Sequence, residues 1–141
     1  VGVLKWYGIS ERKRMRHNEI TGGVVDTAMH IHRRLGPGLL ESVYRKVLAY
    51  ELAKRGFRVE QEVPIPVTWE EVHLELGFRA DLIVNKMVVV ETKSVETISP
   101  VHKKQLLTYL RILDMRVGLL VNFNVELLKN GVSRVVNELD E

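Results

Sequence analysis

The stretch FRADLIVNKMVVVETKS, residues 78–94, constrains the fold of this 141-residue chain more than any other. Phe78, Ala80, Leu82 and Val84 alternate with Arg79, Asp81, Ile83 and Asn85, the period of a β-strand with two distinct faces. After Asn85-Lys86 comes a short apolar run, residues 87–90, of the kind found in a strand covered on both sides. Together the two segments read as a tight hairpin. The run ends in Glu91-Thr92-Lys93, and charged groups at the end of a buried strand are costly unless a cation or a partner meets them. Glu91 and Lys93, two apart, point to one face and Thr92 to the other. Asp81 shares that face only under a condition on the turn. A two-residue turn at Asn85-Lys86 would pair Val84 with Met87 and Asp81 with Val90, throwing Glu91 to the opposite face from Asp81. A shared site therefore requires a bulge or an odd-numbered loop. Given that, two carboxylates and an ammonium converge, a set that can hold a divalent cation and activate a water.

The rest of the chain supplies helices around this hairpin. Asn18 is the expected N-cap of a first helix whose Ile20, Val24, Ile31 and Leu35 recur at helical spacing up to Gly36. Gly36-Pro37-Gly38 breaks the chain, and a second helix over residues 39–55 ends at Gly56. By count, Leu40, Val43, Val47 and Leu48 form its apolar face, with Glu41, Tyr44 and Arg45 as surface neighbours. Taken alone, Glu41 is explained by the favourable place of a carboxylate in a first helical turn, and Tyr44 by burial. Residues 57–68 alternate as a strand that Pro64 and Pro66 confine to an edge or a bulge, and residues 69–77 read as a turn rising into the next strand. Ser99-Pro100 starts a third helix running to about Asp114. Its Leu106, Leu110 and Leu113 face the core, while His102, Gln105 and Tyr109 form a separate stripe. Residues 117–121 read as a buried strand, parallel to its neighbour because a helix intervenes, and Asn130-Gly131 turns the chain into a short last strand over residues 132–136.

Asp81 with Glu91-x-Lys93 resembles the PD-(D/E)XK nuclease signature, and Gly38-Leu39-Leu40-Glu41-Ser42-Val43-Tyr44 resembles the motif that names the GxxExxY family of that superfamily. The short acidic pattern alone is weak. HRRLGPGLLESVY (residues 32–44), PVHKKQLLTYL (100–110) and GLLVNFNVELLKNGVSRVV (118–136) agree with it in order and spacing, so the likeness spans residues 19–137. Gln105 and Tyr109 also resemble the QxxxY element of RecB-like nuclease domains. The resemblance implies an α/β, restriction-endonuclease-like core, a central mixed β-sheet flanked by helices in the order α-α-β-β-β-α-β-β. It would occupy residues 18–137, between a basic arm (1–17) and a C-terminal tail (138–141). It also implies a Mg²⁺- or Mn²⁺-dependent nuclease that hydrolyses phosphodiester bonds in DNA. In that reading Asp81 and Glu91 ligate the metal, Glu41 completes the acidic cluster, and the backbone carbonyl of Thr92 is a further ligand. Lys93 orients the water or neutralises charge on the phosphate, and Gln105 with Tyr109 positions substrate or metal-bound water. Thr92 departs from the apolar residue expected at its position; pointing off the active face, it puts little in doubt. Because a shared fold does not fix activity, a nucleic-acid-binding or assembly module that keeps the acids without cleaving is the alternative. The intact Asp, Glu and Lys favour the enzyme.

Composition narrows the field further. With no cysteine, disulfides and thiolate metal sites are excluded, which fits a reducing cytoplasm. No apolar run is long enough to span a bilayer, and VGVLKWYGIS lacks the apolar core of a signal peptide. The five histidines form no HxxxH pair, and neither GxGxxG nor GxxxxGK[ST] is present, which argues against a zinc hydrolase, a dinucleotide site and a P-loop. The net charge of +3 is uneven: Lys5, Arg12, Lys13, Arg14 and Arg16 against Glu11 put +4 in the first sixteen residues, leaving −1 for the other 125. These five residues, with Arg79 in the body, are the expected nucleic-acid contacts; a solvated leader is the plainer reading of the arm. A domain this small covers little duplex, so cutting both strands is easier for a homodimer.

Overall fold

The computed structural model describes residues 15–75 and 77–139. Helices α1 (His17–Leu35) and α2 (Glu41–Lys54) precede strand β1 (Val59–Pro64) and a small hairpin of β2 (Val67–Trp69) and β3 (Val72–Leu74). Then come β4 (Arg79–Val84), β5 (Val88–Lys93), α3 (Pro100–Leu113), β6 (Val117–Asn122), a 3-10 turn (Leu128–Gly131) and β7 (Val132–Val136). The main sheet has the order β1-β4-β5-β6-β7, with β5 and β6 parallel and every other pair antiparallel. This is the α/β arrangement, a mixed central sheet flanked by helices, that the sequence led us to expect.

The sheet separates two apolar layers. On one face α1 and α2 bring Ile20, Val24, Ile31, Leu48 and Leu52 onto Leu82, Val84, Val88, Val90, Leu119 and Val121. On the other, Leu106 and Leu110 of α3 cover Ile83, Val89 and Leu120. Central strands covered on both sides must be apolar at every position, which is why β5 and β6 read as continuous runs rather than alternating ones.

Three local expectations change. Residues 57–68 are not one strand, because Pro64 and Pro66 lack the N–H that the ladder needs; the chain leaves β1 at Pro64 and forms the β2–β3 hairpin where only a turn was expected. Helix α1 begins after Arg16, whose amide donates to the Glu19 carboxylate at 2.8 Å, while Asn18 instead accepts from Arg134 at 2.7 Å. The apolar face of α2 is rotated: Leu40 (74 % exposed) and Val43 face solvent, and Tyr44, Leu48, Ala49 and Leu52 are buried. Tyr44 decides this. Its ring stacks on Phe123 with centroids 4.4 Å apart, and its hydroxyl donates to the Gly36 carbonyl at 2.5 Å and accepts from the Leu39 amide at 3.1 Å. A buried phenol with both needs met loses nothing by desolvation. The turn it pins needs Gly36 and Gly38 at φ of 70° and 104°, a region that side chains disfavour.

Candidate active site

The β4–β5 connection sets the geometry. Val84 stands opposite Val88, leaving the three-residue loop 85–87, in which Asn85 and Lys86 both take positive φ. Asn tolerates that region better than most residues, and its side-chain oxygen accepts the Arg58 amide at 2.8 Å, tying the loop to the start of β1. With an odd loop the register runs through Ile83–Val89 and Leu82–Val90, so Asp81 falls opposite Glu91.

At that point side chains replace the backbone ladder. The Asp81 amide donates to Glu91 Oε2 at 2.8 Å, and the Thr92 amide donates to Asp81 Oδ2, also at 2.8 Å. The Thr92 hydroxyl donates to the same Asp81 oxygen at 3.0 Å. Thr92 is therefore not idle, contrary to the reading that set it off the active face. The cause is a break in alternation: Leu82 packs in the α1/α2 layer, whereas Ala80, two residues away, packs in the α3 layer. Asp81 lies at the switch, so its carboxylate reaches Thr92 while its amide serves Glu91.

Burial makes this pair electrostatically costly. Glu91 is only 5 % exposed, and desolvation, followed by the neighbouring Asp81 charge, pushes its pKa up to about 8. The hydrogen bond from Asp81 and the charge of Lys93 pull the other way, and Glu41 adds a smaller upward push. The Tyr109 phenol is also raised, by desolvation first and then by Glu91 and Asp81, so it remains a hydrogen-bond donor at neutral pH.

Glu41, exposed in the first turn of α2, is brought to this site by Ser94, the residue after Lys93. Ser94 donates its hydroxyl to the Leu39 carbonyl at 2.6 Å and its amide to Glu41 Oε2 at 3.4 Å. Lys93 is half-buried beside Glu91. Its carbonyl accepts the Phe123 amide at 2.9 Å on the β6 side, so the preceding carbonyl, that of Thr92, faces the β4 side, where Asp81 lies. On α3, Tyr109 is buried next to the acids and Gln105 is exposed one turn earlier. Arg79 and Arg16 are exposed, and Arg79 donates to the Glu62 carbonyl at 3.4 Å. Lys5, Arg12, Lys13 and Arg14 lie outside the described residues.

The sequence reading missed Ser94 and Asn122. Asn122 is buried at the end of β6, where its amide oxygen accepts from Val95 N–H at 3.1 Å and its nitrogen donates to the Val95 carbonyl at 2.8 Å. A signal for Asn122 was present, since it ends an apolar strand just as Glu91 does. For Ser94 there was none.

The PD-(D/E)XK nuclease superfamily profile matches residues 18–135, more than four-fifths of the chain, and its span takes in every element described above but for the first residue of α1 and the last of β7. The chain belongs to the PD-(D/E)XK nuclease superfamily. No curated protein and no solved structure matches it. Members of this superfamily are usually nucleases and typically use divalent metals such as Mg²⁺. The donor chemistry here fits such a cation. Asp81 Oδ1 and Glu91 Oε1 have no hydrogen-bond donor among the described residues, and a cation would offset the charge that burial makes costly at Glu91. Among the described residues no three His, Asp or Glu side chains converge closely enough to form a ligand set, so Glu41 stands next to the acid pair rather than in contact with it. No helix of the described residues is long and apolar enough to cross a membrane.

Proposed function

We propose that this PD-(D/E)XK protein is a Mg²⁺- or Mn²⁺-dependent nuclease of the GxxExxY family acting on DNA. The observation that carries the reading is the interlock of Asp81 and Glu91, each holding one oxygen on the other's strand and leaving one free, with Lys93 beside them. Asp81 and Glu91 would hold the metal, with the Thr92 carbonyl as a further oxygen donor and Glu41 close by to hold a metal-associated water. A bound divalent cation supplies Lewis-acid stabilisation of the phosphoryl group and lowers the pKa of a water at the site. Lys93 places a positive charge where negative charge develops on the phosphate, and the Tyr109 phenol, kept protonated, donates a hydrogen bond into the same space. Gln105, one turn away on α3, contacts the substrate strand. The GxxExxY motif finds a physical role: Tyr44 pins the turn at residues 36–39, and that turn delivers Glu41 and Leu39 to Ser94. A homodimer would let two such sites address both strands of a duplex.

The test is a panel of branched, nicked, single- and double-stranded DNA and RNA, with Mg²⁺ or Mn²⁺, run beside Asp81→Ala. Metal-dependent DNA cleavage by the wild type that Asp81→Ala abolishes is the expected result. Binding without cleavage of any substrate, in either metal, would instead establish the non-cleaving module.

A further inference from the structure

On α2, one turn beyond Glu41, lies a guanidinium held only loosely by its partner. Arg45 follows Glu41 by one turn on α2, so the two side chains are neighbours on the helix surface. It is only 16 % exposed, its Nε is buried with no hydrogen-bond acceptor, and its one partner among the described residues is Glu62, whose carboxylate sits 3.6 Å from Nη2. That is well beyond the separation of a charge-assisted hydrogen bond. Charged groups this far from water are normally held by short, paired hydrogen bonds, and the Glu62 carboxylate meets this guanidinium only loosely.

Glu62 occupies an informative place. The β1–β4 register pairs Gln61 with Leu82 and Val63 with Ala80, which leaves Glu62 opposite Asp81. Glu62, Asp81 and Glu91 thus form one row across three strands. Glu62 has a φ of 48°, a conformation unfavourable for a side-chain-bearing residue, and Arg79 reaches its carbonyl from β4. Two arginines therefore converge on the residue next to the acid pair. The Glu62 carboxylate is 56 % exposed and free to swing away.

We propose that Arg45 binds a non-bridging oxygen of a substrate phosphodiester, and that Glu62 holds this guanidinium in the free protein until the phosphate displaces it. This rests on the nucleic-acid reading above and names one of its contacts. The chemistry favours a phosphate because the guanidinium's Nη donors can bond a non-bridging phosphate oxygen at short range, whereas the Glu62 carboxylate stands 3.6 Å from Nη2. Arg79, exposed beside it, extends the same track along the backbone.

The test reads binding alone. Fluorescence anisotropy of a labelled 20-nucleotide single strand and its duplex, in EDTA over a salt series, compares the full chain with Arg45→Gln, Arg45→Lys and Glu62→Gln. Arg45→Gln should weaken binding about 5- to 20-fold and flatten the log affinity versus log salt slope by about 0.7 to 0.9. Arg45→Lys should keep the slope and lose part of the affinity, since it retains the charge without the fork. Glu62→Gln is the decisive variant: it sits at an exposed position, and removing the competitor should tighten binding about 2- to 5-fold. A purely structural ion pair would instead lower the melting temperature and leave affinity unchanged. Equal affinities and slopes for the wild type and all three variants would overturn this inference while leaving the nuclease reading intact. A wild type that binds no oligonucleotide would overturn both.

Discussion

Glu91 gives the sharpest quantitative expectation. Its carboxyl is raised from 4.5 to about 8 in the folded protein, chiefly by burial. Between those two pH values the folded state therefore holds one proton that the unfolded chain has released, so stability falls as pH rises through the window. At 1.36 kcal/mol for each pH unit, the metal-free protein should lose about 4 to 5 kcal/mol between pH 4.5 and 8, with no contribution from this group to the slope outside that range. Little discount for solvent applies at a side chain this buried. Glu91→Gln removes the charge but keeps the oxygen that accepts the Asp81 amide. In EDTA, urea unfolding followed by far-UV circular dichroism should give equal stabilities for the two proteins near pH 5. At pH 8.5 the variant should be the more stable by about 3 to 5 kcal/mol, roughly 10 °C or more in melting temperature. Saturating Mg²⁺ should close most of the gap by stabilising the wild type alone. Stability curves that stay parallel from pH 5 to 9 would refute the reasoning, because Glu91 would then ionise in the folded protein much as it does in the unfolded chain.

Other perturbations separate the roles of neighbouring residues. Lys93→Ala should leave Mg²⁺ stabilisation of the melting temperature in place while removing most of the cleavage rate, and loss of both together would make Lys93 a scaffold residue. Tyr44→Phe removes the bonds to Gly36 and Leu39 and should cost about 1 to 3 kcal/mol in urea unfolding, with a further drop in cleavage as Glu41 loses its support. Gly131→Ala would drive a methyl group into the Asn122 backbone carbonyl and should destabilise by about 1 to 3 kcal/mol or more, as read by thermal melting. Deleting residues 1–14 removes Lys5, Arg12, Lys13 and Arg14 and should flatten the salt slope for duplex DNA by about 3 to 4, at about 0.9 per contact; an unchanged slope would make the arm a solvated leader.

What the sequence disclosed and what it hid follow from the range of each signal. Asp81, Glu91 and Lys93 stood out because a charged residue ending an apolar run breaks a pattern visible within a dozen residues, and counting across the turn then required the odd loop that joins β4 to β5. The parallel placement of β6 followed from the intervening helix. The inward face of α2 was misjudged because helical periodicity ranks residues by apolar character. It cannot see that the Tyr44 hydroxyl finds both its partners in the turn before the helix. Ser94 and the Arg45–Glu62 pair were hidden for a related reason. Ser94 meets Leu39 and Glu41 more than fifty residues back in the chain, and Arg45 reaches a strand rather than its own helix. Such contacts leave no periodic trace.

The position of the acids follows from where β5 changes partners. Up to Val90 that strand is held on one side by β4 and on the other by β6; beyond Val90 the β4 ladder stops, while the parallel pairing to β6 continues to Lys93 opposite Asn122. Glu91, Thr92 and Lys93 are thus fixed along one edge by a buried strand and open along the other, where the Asp81 side chain fills the place of the missing backbone bonds. A site on such a strand end gains the rigidity of the sheet without having its polar groups consumed by it. The two layers of helices bear on it from opposite sides: Tyr109 from α3 lies close enough for its phenol to feel the Glu91 and Asp81 charges, and the start of α2 brings Glu41 to Ser94. Burial raises the cost of the negative charges, and each carboxylate keeps one oxygen that no donor among the described residues meets. Moving the switch of partners by one residue in either direction would turn Glu91 into a core residue or release it to solvent. The length of the β4–β5 loop is therefore as much a part of the site as the carboxylates themselves.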